Sequence, residues 1–180
     1  MRNRILVALI LMSTIFIGCK DEKSVDQLDV VTPQVEDNTF KVTLDVILKK
    51  DDDFCFFYTD ASGPEFKEPI WMGVKGNENQ QKVLFSIPNE NYPSEIRLDF
   101  GMKQDQEDIV LKSVLLEYNG KKREITGPEL GIYFRADENK CTFDPATGIL
   151  KAVVKDGKRQ SPSLYPQDKV LKAEIEKLAK

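Results

Sequence analysis

Phe40-Lys-Val-Thr-Leu-Asp-Val-Ile-Leu48 places apolar side chains at every second position, Phe40, Val42, Leu44, Val46 and Leu48, with Lys41, Thr43 and Asp45 between them. Successive side chains of an extended chain point to opposite faces, so this spacing predicts a half-buried strand. The acidic run Asp51-Asp52-Asp53 ends it, and Phe54-Cys-Phe-Phe-Tyr58 follows, apolar on both faces as suits the middle of a sheet. Thr59 to Pro69 holds Gly63, Pro64 and Pro69 and reads as a loop before a short strand, Ile70-Trp-Met-Gly-Val74. Gly76-Asn-Glu-Asn79 carries turn chemistry. Val83, Phe85 and Ile87 alternate up to Pro88, which has no N–H to give to a ladder. In Glu95 to Gly101, Ile96, Leu98 and Phe100 share one face and Arg97 and Asp99 the other.

After a polar loop, Lys103 to Asp108, the longest apolar run of the domain extends from Ile109 to Tyr118. Asn119-Gly120 closes it, a pair that tolerates the two positive φ angles of a type I′ hairpin turn. The return strand spans Arg123 to Thr126, and Gly127-Pro128 turns again. Gly131 to Phe134, Lys140 to Phe143 and Ile149 to Val154 read as further strands, with Asp144-Pro-Ala-Thr-Gly148 as a loop. Breakers and serines fill Gly157 to Pro166. Leu171, Ile175 and Leu178 then recur at helical spacing behind Asp168, a candidate N-cap. Many short strands with one terminal helix predict an all-β fold: an antiparallel β-sandwich, jelly-roll or Greek-key, over residues 39–165, and an amphipathic helix within 166–180.

Upstream of the sandwich the chain has a different character. Arg2 and Arg4 precede an apolar run, Ile5 to Ile17, and Gly18 stands before Cys19. A run of that length is too short to span a bilayer as a helix, and the order of charge, apolar run and small residue is that of an export signal. It resembles bacterial lipoprotein signals, with phenylalanine at position 16 where leucine is more usual. That resemblance implies cleavage after residue 18 and lipid on Cys19. Lys20-Asp21-Glu22 is similar to the pattern that sends Bacteroidota lipoproteins to the outer face of the outer membrane; a periplasm-facing lipoprotein and an ordinary secreted protein are the alternatives. Residues 19–38 are acidic and aperiodic, a tether that as a flexible coil would hold the domain on the order of 25 Å from the lipid.

Without residues 1–18, 162 of the 180 residues remain, enough for one core. The signal's two arginines leave with it, so 24 basic residues face 30 acidic ones, a net charge of −6 against −4 for the whole chain. That balance argues against nucleic acid as a partner. The chain has no histidine. Ser-His-Asp and Cys-His catalysis and imidazole metal sites are thereby excluded. With Cys19 lipidated, Cys55 and Cys141 remain as one possible disulfide or as two buried thiols.

Phe54 to Tyr58, Ile70-Trp71, Lys82 to Pro88, Ile96-Arg-Leu-Asp-Phe-Gly101 and Ile109 to Tyr118, in that order, resemble galactose-binding-like, carbohydrate-binding-module-like jelly-roll sandwiches. The resemblance implies a non-catalytic domain, often one that binds carbohydrate. Sugar recognition needs aromatic platforms and planar polar groups. Trp71, Tyr92, Phe66 and Tyr58 are the platform candidates, and Arg97, Asp99, Asn91 and Arg135 the polar ones. Core packing is the ordinary role of a lone tryptophan such as Trp71, and that of Arg97 and Asp99 is an i,i+2 pair on one sheet face within a cross-strand ion network. Asp51, Asp53, Asp60 and the Asp137-Glu138-Asn139 turn offer oxygen ligands to a structural calcium ion, without the spacing of an EF-hand loop. No other cofactor is expected. An envelope protein docking through the terminal helix, a structural lipoprotein and a carboxylate-dependent glycosidase are the competing functions. Replacing Cys19 by alanine is expected to abolish palmitate labelling and the mobility shift of processing; a Cys19→Ala protein still processed and released normally would instead mark a plain secretory signal.

Overall fold

The computed structural model describes residues 38–88, 91–167 and 169–180. The export signal, Cys19, the tether up to residue 37 and Asp168 lie outside the described residues. In chain order the elements are β1 (Lys41–Leu48), β2 (Asp52–Thr59), β3 (Ile70–Val74), β4 (Asn77–Ser86), β5 (Glu95–Asp99), β6 (Ile109–Tyr118) and β7 (Lys121–Thr126). A 3-10 turn (Gly127–Glu129) leads into α1 (Leu130–Tyr133), then β8 (Phe134–Ala136), β9 (Cys141–Asp144), β10 (Ile149–Ala152), β11 (Val154–Lys155), β12 (Lys158–Arg159), β13 (Ser163–Pro166) and α2 (Val170–Leu178).

Every pairing is antiparallel. One sheet is ordered β4-β1-β6-β10-β9, with β7 also on β6, and the other β3-β2-β5-β13-β8; β11 and β12 make a separate hairpin. At four of five positions the two orders match: β4 with β3, β1 with β2, β6 with β5 and β9 with β8 are chain neighbours holding the same place in different sheets. The chain therefore builds the sandwich by repeated crossings from sheet to sheet. This is the all-β sandwich that the alternation predicts.

β1 shows why. Its alternate residues from Val42 to Leu48 are at most 1% exposed, and β4 and β6 pair with its two sides. β6 carries two apolar sets of opposite parity, Ile109 with Leu111 and Val114 with Leu116, and all four are fully buried. A bulge reconciles them: Asp45 pairs Ser113 and the next residue, Val46, pairs Leu111, so Lys112 is extra and the strand resets its facing. Against this face the other sheet sets Phe54, Phe56, Ile96, Leu98 and Phe100. Phe56 stacks on Phe85 across the core at 5.4 Å, and Phe54 meets Phe100 edge-on at 5.2 Å. Asn119 and Gly120 have φ of 47° and 75°, as a type I′ turn requires.

Three local expectations fail. Asn77 to Asn79 open β4 instead of forming a turn, because β1 extends far enough for Leu48 to pair with Asn77. Gly131 to Tyr133 are helical where a strand was expected: Gly127, at φ 53°, turns the chain, and Pro128 enters the first turn of the following 3-10 segment. The breaker-rich stretch after Gly157 contains β12 and β13, and β13 lies inside a sheet between β5 and β8. Asp156-Gly157, at φ 53° and 72°, makes the β11–β12 hairpin.

Lys169, at φ 66° and without a side-chain cap bond, occupies the N-cap position of α2. The predicted stripe of Leu171, Ile175 and Leu178 is buried in the common core. Polar contacts latch the helix down: Tyr92 Oη donates to the Ile175 carbonyl, and Arg123 Nε donates to Glu174 at 3.3 Å. The stripe is thus taken up by the sandwich and is not free for docking. Ile175→Ala is expected to lower unfolding stability by about 2–4 kcal/mol in denaturant titration, whereas Val170→Ala, at a position 40% exposed, is expected to change it by no more than about 0.5 kcal/mol.

Candidate functional site

Phe54, Phe56 and Tyr58 face the core, so the residues between them on β2 face outward. Cys55 stands opposite Trp71 on one side and Asp99 on the other, and Asp99 opposite Ser163. Phe57 stands opposite Arg97, and Tyr165 opposite Arg135. The outer face of the five-stranded sheet therefore carries two rows of side chains across its strands: Trp71, Cys55, Asp99 and Ser163, and beside them Phe57, Arg97, Tyr165 and Arg135.

The second row is a stack of alternating rings and guanidinium groups. Arg97 lies between Phe57 and Tyr165, its guanidinium carbon 4.6 Å and 4.7 Å from the two ring centres, and Arg135 lies 5.3 Å from the centre of Tyr165. Phe66, from the β2–β3 loop, leans edge-on against Phe57 at 6.2 Å and Tyr165 at 6.4 Å. Arg97 donates from Nε and Nη2 to the two Asp99 oxygens at 2.8 Å and 2.5 Å. Burial works against the Arg97 charge, but the hydrogen bonds and Coulombic pull of Asp99 outweigh it and raise the arginine above its ordinary value. The pair is the i,i+2 ion pair within one strand that the spacing suggested, flanked by the rings of Phe57 and Tyr165; among the described residues no carboxylate of a neighbouring strand joins it.

Trp71 is 51% exposed. Core packing, the ordinary role of a lone tryptophan, is overturned here because β3 pairs with the outward-facing parity of β2 through Cys55. Phe66, Trp71, Arg97 and Asp99 thus come together on one face. Tyr58 and Tyr92 do not join them. Tyr58 points into the core, its hydroxyl accepting from Asn91 Nδ2 at 3.3 Å. Tyr92 packs edge-on against Phe40 at 5.4 Å and Tyr118 at 4.7 Å, and burial pushes its phenol up to about 12. Both are structural tyrosines. Phe57 and Tyr165 are the face residues that sequence reasoning missed. Parity with Cys55 was a usable signal for Phe57, whereas Tyr165 was hidden in a stretch read as breakers.

Beyond Arg135, at the margin where β8 and β9 end the two sheets, a cleft of about 810 Å³ opens, lined by Arg135, Asp137, Glu138, Asn139, Thr142 and Phe143 among others, so that two carboxylates face one guanidinium. That volume lies within the usual range of small-molecule sites.

Of the carboxylates proposed for calcium, Asp51, Asp60 and Asp137 are engaged in local contacts. Asp51 accepts from Lys75 Nζ at 2.6 Å and the Gly76 amide at 2.8 Å, contacts that hold it below the usual carboxylate range. Asp60 is lowered chiefly by hydrogen bonds to Ser62, and Lys67 lies 3.2 Å away. Asp53 is exposed on β2, and Asp137 closes its own turn by accepting from the Asn139 amide at 3.1 Å. Among the described residues no three acidic or thiol side chains gather around a point where a metal ion would sit.

Cys55 and Cys141 are free and buried, so the possible disulfide is not made. They belong to different sheets; Cys141 Sγ donates to the Ser163 carbonyl at 3.5 Å, while Cys55 points outward beneath the face. Burial, with the Asp99 charge behind it, pushes the Cys55 thiol up to about 11. The reactive species is the thiolate, about one part in a thousand at pH 8 for such a pKa. Alkylation of Cys55 in the native protein is expected to be negligible at pH 8, because the thiol is both buried and protonated. Peptide mass spectrometry after denaturation should find both cysteines labelled with or without reductant; a reductant requirement would mean a disulfide.

Comparison with protein-family models, with curated proteins and with solved structures returns no match.

Proposed function

We propose that this chain is a lipid-anchored, non-enzymatic binding protein whose sandwich recognises glycans on the outer face of the five-stranded sheet. The observation that carries the reading is Trp71: a large ring, half exposed at the edge of the sheet, beside a partly buried ridge of aromatic and guanidinium groups. The apolar face of a sugar ring packs on such a platform, and rigid aromatics do so at low entropic cost. The export signal with Cys19 and the acidic tether support display at the outer membrane, on its outer or its periplasmic side. Binding is favoured over glycosidase chemistry because the carboxylate at the centre of this face, Asp99, is held by both arms of Arg97, whereas hydrolysis needs two carboxyl groups free to exchange protons across a scissile bond. Docking of a protein partner through α2 is disfavoured by the burial of its apolar stripe.

Affinity electrophoresis against a broad polysaccharide panel is expected to find retardation by at least one polymer. Trp71→Ala should weaken it tenfold or more while changing unfolding stability by no more than about 0.5 kcal/mol, as befits an exposed side chain. No retardation across the panel, or full retention by the variant, would overturn the reading.

A further inference from the structure

Inward from Trp71 the outer face closes. Cys55, Asp99 and Ser163, which continue its row, are at most 8% exposed. New contacts are therefore made at the β3 edge. Trp71 and Gly73 are the two exposed positions of β3, about 7 Å apart on one face of the strand. Gly73 has no positive φ, so its backbone does not require glycine, and glycine weakens a strand interior. What the missing side chain leaves is an open floor beside the indole. A β-carbon at that position would stand 3.6 Å from Asp53 Oδ1, whose residue lies directly opposite on β2. A larger side chain would cover that carboxylate.

Asp53 differs from its acidic neighbours. Asp51 is closed by Lys75 and the Gly76 amide, and Asp52 is buried, accepting from the Lys103 amide and Gln106 Nε2. The Asp53 side chain is exposed, and among the described residues nothing donates to it or pairs with its charge. Cys55 opposes Trp71 and Asp53 opposes Gly73, so Asp53 and Trp71 are diagonal neighbours. At such a diagonal, about 7–8 Å between backbones, long and aromatic side chains reach a common point. A sugar ring packed on the indole above Gly73 turns its rim toward Asp53. A carboxylate has two acceptor oxygens and no donor, so it takes two adjacent hydroxyls and repels an anion.

We infer that Trp71, Gly73 and Asp53 form a subsite for one neutral sugar ring: the indole carries its apolar face, Gly73 leaves it room, and Asp53 accepts from a pair of adjacent hydroxyls. This rests on the glycan-binding reading and assigns it a ligand class, a hydroxyl-reading residue and a size of one ring.

Trp71 is the one tryptophan of the chain, so intrinsic tryptophan fluorescence reports on the subsite alone. The full-length chain is titrated with the methyl glycosides of galactose, glucose and mannose and with galacturonate and glucuronate. At least one neutral glycoside is expected to give a saturable change in the millimolar range, and the uronates to bind at least tenfold more weakly. Asp53→Ala should weaken binding tenfold or more. Gly73→Val, with a β-branched side chain that suits a strand, should abolish the response while leaving the melting temperature unchanged or higher. Unchanged affinity in Asp53→Ala or Gly73→Val, or a preference for uronates, would overturn this inference. So would polysaccharide retardation that depends on Trp71 without a response to any single glycoside. In each of these cases the glycan reading stands as long as Trp71→Ala loses retardation, whereas no fluorescence response together with no retardation removes both.

Discussion

A side chain on a strand can face only one of two ways, and in β2 both ways are occupied by large apolar groups. Phe54, Phe56 and Tyr58 fill the space between the sheets, which forces Cys55 and Phe57 outward. From that parity the rest of the face follows through register: Arg97 beside Phe57, Asp99 and Trp71 flanking Cys55, and Tyr165 one strand further on. A slip of one residue in β2 would turn three aromatic core residues into solvent and carry Cys55 and Phe57 inside. The core and the candidate site are thus two sides of one constraint.

The same constraint explains the bulge in β6. Ile109 and Leu111 could not share a face with Val114 and Leu116 in a regular strand, and exposing either pair would cost several kcal/mol of apolar burial. One extra residue at Lys112 lets both pairs reach the core. The chain is organised in sheet-crossing steps, so each such local adjustment is felt directly by the strand lying opposite.

On the outer face, rigidity comes from a different source. A guanidinium held between two rings and bonded by two N–H groups to one carboxylate has little freedom left, and Phe66 braces both rings from a loop. Such a surface meets a ligand without first having to be ordered, which reduces the entropic cost of binding. It also makes Arg97 and Asp99 framework groups, and leaves the exposed Trp71 as a group free to make new contacts.

Much of the architecture is legible in local sequence because alternation, turn residues and helical spacing are local physical facts. β1, β3 and β6, the Asn119-Gly120 turn and the buried stripe of α2 follow from them. So does the pairing of Arg97 with Asp99, two residues apart on one strand. Alternation relates Phe57 to Cys55 but cannot say which parity of an all-apolar strand faces in, and so the exposure of Trp71 and the inward turn of Tyr58 were not legible. Local propensity also misjudged β13, where prolines flank a short strand that exists because β5 and β8 offer it partners on both sides. Sequence alone determined that this chain is an antiparallel sandwich with a terminal helix, and that it lacks every imidazole chemistry. Only the tertiary structure decided which side chains share the outer face, because side-chain neighbours on a sheet are set by pairing between strands distant in sequence.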